Sequence, residues 1–203
     1  MGTVVERKDL LETIIYADRG YIADMYEAIT GTRPHTTITR NQGKKAGASV
    51  PLFSAELSAT ESRSYEISTN EMLAEILPSL QRESSIDGST LARRMASKIG
   101  WIDGTLTILA ASTSFQKRET GESVTTAKDQ FFCIKGDNGL ALALVTNPAY
   151  FAYGLDTLLR MQQTALSYLS IPIRAYVRIF SAETYTPQWV AVPLLIEERR
   201  SGT

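Results

Sequence analysis

A single histidine, His35, and a single cysteine, Cys133, set the ceiling on the chemistry this chain could perform. Any Ser-His-Asp triad, Cys-His pair or imidazole general base has to use His35, which follows Pro34 in a basic, glycine-containing stretch that would hold it poorly for proton transfer. We read it as a surface or turn residue. Cys133 stands in Phe131-Phe132-Cys133-Ile134, a context that predicts a small buried hydrophobe rather than a low-pKa nucleophile. A tetrahedral zinc site would lack soft ligands. The carboxylates form no D-x-D, E-x-x-H or EF-hand pattern, so the spacing identifies no catalytic set, no metal site and no cofactor motif. Carboxylates assembled from distant positions would make a different class of protein, a hydrolase or transferase.

One stretch is left over for binding. Residues 32–49 carry Arg33, Arg40, Lys44 and Lys45 with His35 and contain no acid, a local charge of +4. Glycines there let the backbone approach a ligand, and such a loop could hold phosphates. Gly43-Lys44-Lys45-Ala46-Gly47 lacks the order of a Walker A motif. Arg93, Arg94 and Lys98 could extend the surface or simply face water. Farther on, strand parity puts Arg174, Tyr176, Arg178 and Phe180 on one face and Ile173, Ala175, Val177 and Ile179 on the other. The first set would suit single-stranded nucleic acid by stacking plus charge, although no RNP-like motif accompanies it.

The elements that must position these residues are punctuated by polar caps. Asp18 precedes Tyr21, Ile22, Met25, Tyr26 and Ile29, which predicts a helix from about 19 to 30 ended by Gly31. Ser68-Thr69-Asn70-Glu71 matches a capping box before Met72, Leu73, Ile76, Leu77 and Leu80, and Pro78 shortens, kinks or ends that helix near Leu77. Asn147-Pro148 would open the longest helix, running to about Ser170 along Phe151, Leu155, Leu158, Leu159, Leu166 and Leu169. Strands are expected near Ile14 to Ala17, Phe53 to Thr60, Phe131 to Ile134, Leu140 to Val145, Ile173 to Phe180 and Gln188 to Ile196. Pro193 marks the last as an edge or a bulge. Trp101 to Ala111 reads as a tight hairpin at Asp103-Gly104 or a strand bulged there, and Asp103 and Asp137 read as turn residues. Gln116 to Lys128 reads as a loop. Residues 84–100 fit helix and strand equally.

With 203 residues, the chain can bury a core without a metal or disulfide. Its 21 basic and 22 acidic side chains give a net charge of −1, which argues against nucleic-acid binding by the whole surface. One cysteine, no secretory leader pattern and no apolar run of 18 residues point to the cytoplasm and to no membrane span.

The opening Ile14-Ile15-Tyr16-Ala17-Asp18 with Tyr21-Ile22 and Met25-Tyr26 resembles a loose set of uncharacterised bacterial proteins that begin with a Tyr-Leu-Asp strand-to-helix turn. They are often encoded near defence genes. Met72-Leu73 to Leu80 and Gly100-Trp101-Ile102-Asp103-Gly104 are similar in kind to their middle section, with Ala17 here in place of the usual leucine. The resemblance implies a bacterial accessory or defence-associated protein without an assigned reaction and carries over no catalytic residue.

The expected fold is a single α+β domain over 1–203, with a mostly antiparallel or mixed sheet of five to seven strands, three main helices and a flexible basic loop at 32–49. The expected function is a noncatalytic accessory or binding module with a protein partner. Nucleic-acid or nucleotide-phosphate binding through the basic loop is the alternative, and a dispersed carboxylate enzyme the second. An edge strand near the C-terminus would allow homo-oligomers.

Overall fold

The structure, a computed structural model, describes residues 12–34, 36–42, 59–65, 67–91, 96–116, 123–160, 169–181 and 189–199. A short strand β1 (Ile14–Ala17) runs into helix α1 (Arg19–Thr30) through Asp18. The Asp18 carboxylate accepts from the N–H groups of Gly20 at 3.0 Å and Tyr21 at 3.1 Å, two of the donors that a helix start leaves unpaired. At the other end Gly31 adopts φ 69°, the left-handed position where glycine carries no Cβ penalty, and donates to the Glu27 carbonyl. Both boundaries are those the sequence predicts.

Helix α2 (Thr69–Leu80) starts with the expected reciprocal cap: the Glu71 N–H donates to Ser68 Oγ at 3.2 Å, and the Ser68 N–H donates to Glu71 Oε2 at 3.0 Å. It continues through Pro78 instead of stopping at Leu77. Proline in the last turn forfeits one backbone bond, and two contacts offset that loss. Leu80 is buried, and its carbonyl takes the indole N–H of Trp101 at 2.6 Å.

Six strands form a mixed sheet that closes on itself. After β4 (Lys98–Gln116), β5 (Ser123–Gly136) and β6 (Ala141–Leu144) comes β7 (Ile171–Ser181), then β8 (Trp189–Glu198). The order is β1-β8-β6-β5-β4-β7, and β7 also pairs with β8, so β4 to β8 make a closed five-stranded barrel with β1 alongside. All pairings are antiparallel except β6 with β8. A three-strand meander, a helical connection and two closing strands, with the third and fifth parallel, is the connectivity of OB-type Greek-key barrels.

Barrel closure explains several departures from the expected elements. Asp103-Gly104 is neither hairpin nor bulge, because β4 passes straight through it and pairs with β7 over Lys98–Leu106 and with β5 over Gly104–Gln116. Part of the stretch expected as a loop from Gln116 to Lys128 is strand: β4 runs to Gln116 and β5 begins opposite it at Ser123, while 117–122 lie outside the described residues. Strand β8 is no edge, since it pairs with β7 along one side and with β6 and then β1 along the other. Pro193 instead marks a bulge, with Val177 opposite Pro193, Tyr176 opposite Leu195, and Leu194 extra. The Leu194 carbonyl accepts from the Asp18 N–H at 3.0 Å, so this bulge positions the cap of α1.

The third main helix is absent from the described residues. Asn147 does cap a turn, accepting from the Ala149 N–H at 3.1 Å, but the helix is a 3₁₀ turn over Pro148–Tyr150. Phe151 is extended and bridges to Tyr16, the Ala152 N–H donates to the Ile15 carbonyl, and Tyr153 and Gly154 are left-handed at φ 57° and 68°. A second 3₁₀ segment spans Leu155–Arg160. Residues 84–91 hold a bridge at Ser85 and a 3₁₀ turn at Gly88–Thr90, and β4 starts at Lys98.

Two cores result. One fills the barrel with Phe132, Ile134, Leu142, Ile173, Val177 and Ile196, capped by Phe151, Leu155 and Leu158. The other lies outside the wall, where Ile22, Met72, Leu73 and Ile76 of the helices cover Trp101, Tyr176 and Leu195. Strands β2 (Thr36–Gln42) and β3 (Ala59–Tyr65) form a separate antiparallel ribbon between α1 and α2. Part of the segment expected as a flexible basic loop is thus strand. Of the strand expected at Phe53 to Thr60, Ala59 and Thr60 lie in β3, which continues to Tyr65, and 43–58 lie outside the described residues.

Candidate functional site

The two polar caps bring the starts of α1 and α2 to one cleft, closed on its other side by residues 150–153. Its volume is about 290 Å³, just below the roughly 300–1,000 Å³ usual for small-molecule sites. Tyr16, Tyr150 and Phe151 form its aromatic wall, and Arg19, Thr69 and Asn70 line the helix side. Tyr16 meets Phe151 edge-on at 4.9 Å and Tyr150 at 5.9 Å. Its hydroxyl accepts from the Asn147 N–H at 3.2 Å. Burial pushes the Tyr16 phenol up to about 12, against the opposing pull of the Asn147 N–H, with Asp18 adding to the rise. It stays neutral near pH 7.

Tyr153 stands at the mouth. It is 75% exposed, its ring free of the core, and its hydroxyl donates to the Glu12 carbonyl at 3.1 Å. A left-handed backbone on an aromatic residue costs about 1–2 kcal/mol. Such strain, held in place by surrounding structure, gathers at functional sites.

A second polar group lies on the outer face of the wall. Asp103, Arg174 and Glu197 are opposite one another across β4, β7 and β8. The Arg174 guanidinium sits 4.4 Å over the Trp101 ring, and Arg199 bonds Asp137 at 2.8 Å and approaches Asp103 at 3.9 Å. Glu197 is 9% exposed, and its Oε2 has no hydrogen-bond partner. Burial raises its pKa, Arg174 pulls it down and Asp103 pushes it up. Because the folded value exceeds the ordinary 4.5, the contribution of Glu197 to stability is full below that pH and is lost as pH rises through the folded value. Glu197→Gln is therefore expected to raise the melting temperature at pH 7. That gain should shrink below pH 4.5, as thermal denaturation across pH would show.

The residues singled out from sequence do not assemble into one surface among the described residues. Arg33 is exposed and pairs with Glu27 at 3.5 Å, while Arg40 lies in β2 opposite Glu61 in register. His35, Lys44 and Lys45 lie outside the described residues. On β7 the expected parity holds, with Ile173, Ala175, Val177 and Ile179 in the barrel and Arg174, Tyr176, Arg178 and Phe180 opposite. Tyr176, however, is 4% exposed beneath the helices and packs on Trp101 at 5.1 Å. Its ring cannot take a base, which corrects the stacking role expected of it. Arg178 and Phe180 are exposed. Cys133 is fully buried, and burial raises its thiol pKa, which suits the packing role expected of it.

Sequence reasoning missed Arg19, Asn70 and Tyr153. One signal was available: Tyr153 falls off the apolar stripe of the expected helix and precedes a glycine. Among the described residues no group of histidine, cysteine and carboxylate side chains is placed to hold a metal, and no helix is long and apolar enough to cross a membrane. No family model, curated protein or solved structure matches this chain.

Proposed function

We propose that this chain is a noncatalytic binding module that seats a small ligand in the cleft beside Tyr16. One observation carries the reading: the cleft is lined by groups that stack and hydrogen-bond but do not react. Its phenol is held protonated well above neutral pH, and Arg19, Thr69 and Asn70 offer a charge, a hydroxyl and an amide. The thiol is buried, and Arg174 and Arg199 are interleaved among the carboxylates, which weighs against the dispersed carboxylate enzyme. An accessory role fits the resemblance noted above.

A thermal-shift panel of small neutral and charged compounds, run on the full chain and on an Arg19→Ser, Asn70→Ala variant, tests the proposal. A bound compound at a hundred times its Kd stabilises by about 2.7 kcal/mol. At least one compound should raise the wild-type melting temperature, leave the variant unmoved and be recovered unchanged. No response from any compound, or consumption of the responding one, would overturn it.

Barrel connectivity favours a second reading, recognition of single-stranded nucleic acid assisted by the basic residues around Arg33 and Arg40. Connectivity alone does not confer function. Affinity would have to fall steeply with salt, and an absence of oligonucleotide binding at low salt removes this reading.

A further inference from the structure

From the cleft's shape and charge we infer that its ligand is an uncharged planar heteroaromatic of the nucleobase or nucleoside class. This rests on the binding reading above.

The first argument is Tyr153. An aromatic side chain three-quarters exposed at the rim of a cleft, tethered by its hydroxyl to the Glu12 carbonyl, presents a ring face already held in place. A flat ligand can stack on it with little further loss of side-chain freedom. Stacking tolerates many rings, so it sets the shape of the ligand rather than its identity. The second is Asn70, exposed at the start of α2, whose amide carries both donors and an acceptor. That combination pairs with the alternating donor and acceptor edge of a nucleobase.

Charge decides against phosphate. Two helix starts lining a cleft would ordinarily favour an anion. Here three of those donors are already taken by the chain's own groups, Gly20 and Tyr21 by Asp18, and Glu71 by Ser68. Asp18 and Glu71 add two carboxylates beside the cleft against the one cation of Arg19. The two cap carboxylates offset the positive charge of Arg19 and of the helix starts, so a phosphate gains no net attraction there, and a neutral ring needs none. Size agrees, since about 290 Å³ suits a compact ligand better than a triphosphate.

The test is calorimetric titration of the full chain with adenosine, ribose and ATP, repeated on Tyr153→Phe and Tyr153→Leu. Phenylalanine keeps the ring and loses only the tether, whereas leucine keeps apolar bulk without a π-face. Adenosine should bind wild type and Tyr153→Phe within a few-fold of each other and Tyr153→Leu roughly 10-fold more weakly or worse. ATP should bind more weakly than adenosine, and ribose not at all. Equal adenosine affinity in Tyr153→Leu, or tighter binding of ATP, overturns the inference. Should adenosine fail while a saturated compound from the panel binds and depends on Arg19 and Asn70, the ligand class falls and the binding module stands. Failure of every compound brings down both.

Discussion

Gly104→Ala is expected to destabilise the protein by about 3 kcal/mol, at the upper end of overpacking costs, and to lower its urea midpoint accordingly. A Cβ at Gly104 would lie 2.3 Å from the Lys135 carbonyl oxygen and 2.8 Å from the Gly136 Cα. Both are backbone atoms of the neighbouring strand, so no side chain can turn aside. The glycine sits where β4 first meets β5 while still paired with β7, and relief would require parting two of the barrel's pairings. Gly139→Ala makes the natural comparison. Its new Cβ would meet nothing within 4 Å, and only the positive φ of 82° resists it. That change should cost about 1–2 kcal/mol. Equal midpoints for the two variants would contradict the close approach at Gly104.

Trp101→Ala should cost about 3–5 kcal/mol, a large share of the stability of a domain this size. The indole is fully buried between the barrel wall and the helices, against Tyr176 on one side and under Arg174 on another. Its N–H closes the C-terminal end of α2 by donating to Leu80. Trp101→Phe separates the contributions. Most of the packing remains, but the Leu80 carbonyl loses a buried donor, and a loss of about 1–3 kcal/mol is expected. Circular dichroism with denaturant would report both. If Trp101→Phe proved as stable as the parent, the indole bond would not be holding the last turn past Pro78.

Local rules were legible, and long-range ones were not. Asp18, Gly31, Ser68 and Glu71 act within three or four residues of themselves, so their hydrogen bonds follow from spacing alone. The hairpin through Gly136 to Gly139 is equally local, and β5 and β6 flank it as expected. The segment after Asn147 failed for the opposite reason. Its apolar spacing is helical, yet Phe151 gains more by bridging to Tyr16, far back in the chain, and packing on Phe132 inside the barrel. The candidate cleft was hidden for the same reason. Arg19, Asn70 and Tyr153 come from three separated segments, and none belongs to a motif. Tyr176 shows the complementary error, since parity placed it on the right face but could not reveal that two helices cover that face.

Strand β8 follows, in order of synthesis, every strand it joins, and it joins β1, β6 and β7. A nascent chain that has not yet released it must carry three unsealed strand borders at once, including the Leu142-Ala143-Leu144 row that later aligns in parallel with it. Such borders invite pairing with neighbouring chains. Slow translation just before Trp189 would thus lengthen the interval of greatest aggregation risk, and rapid completion would shorten it.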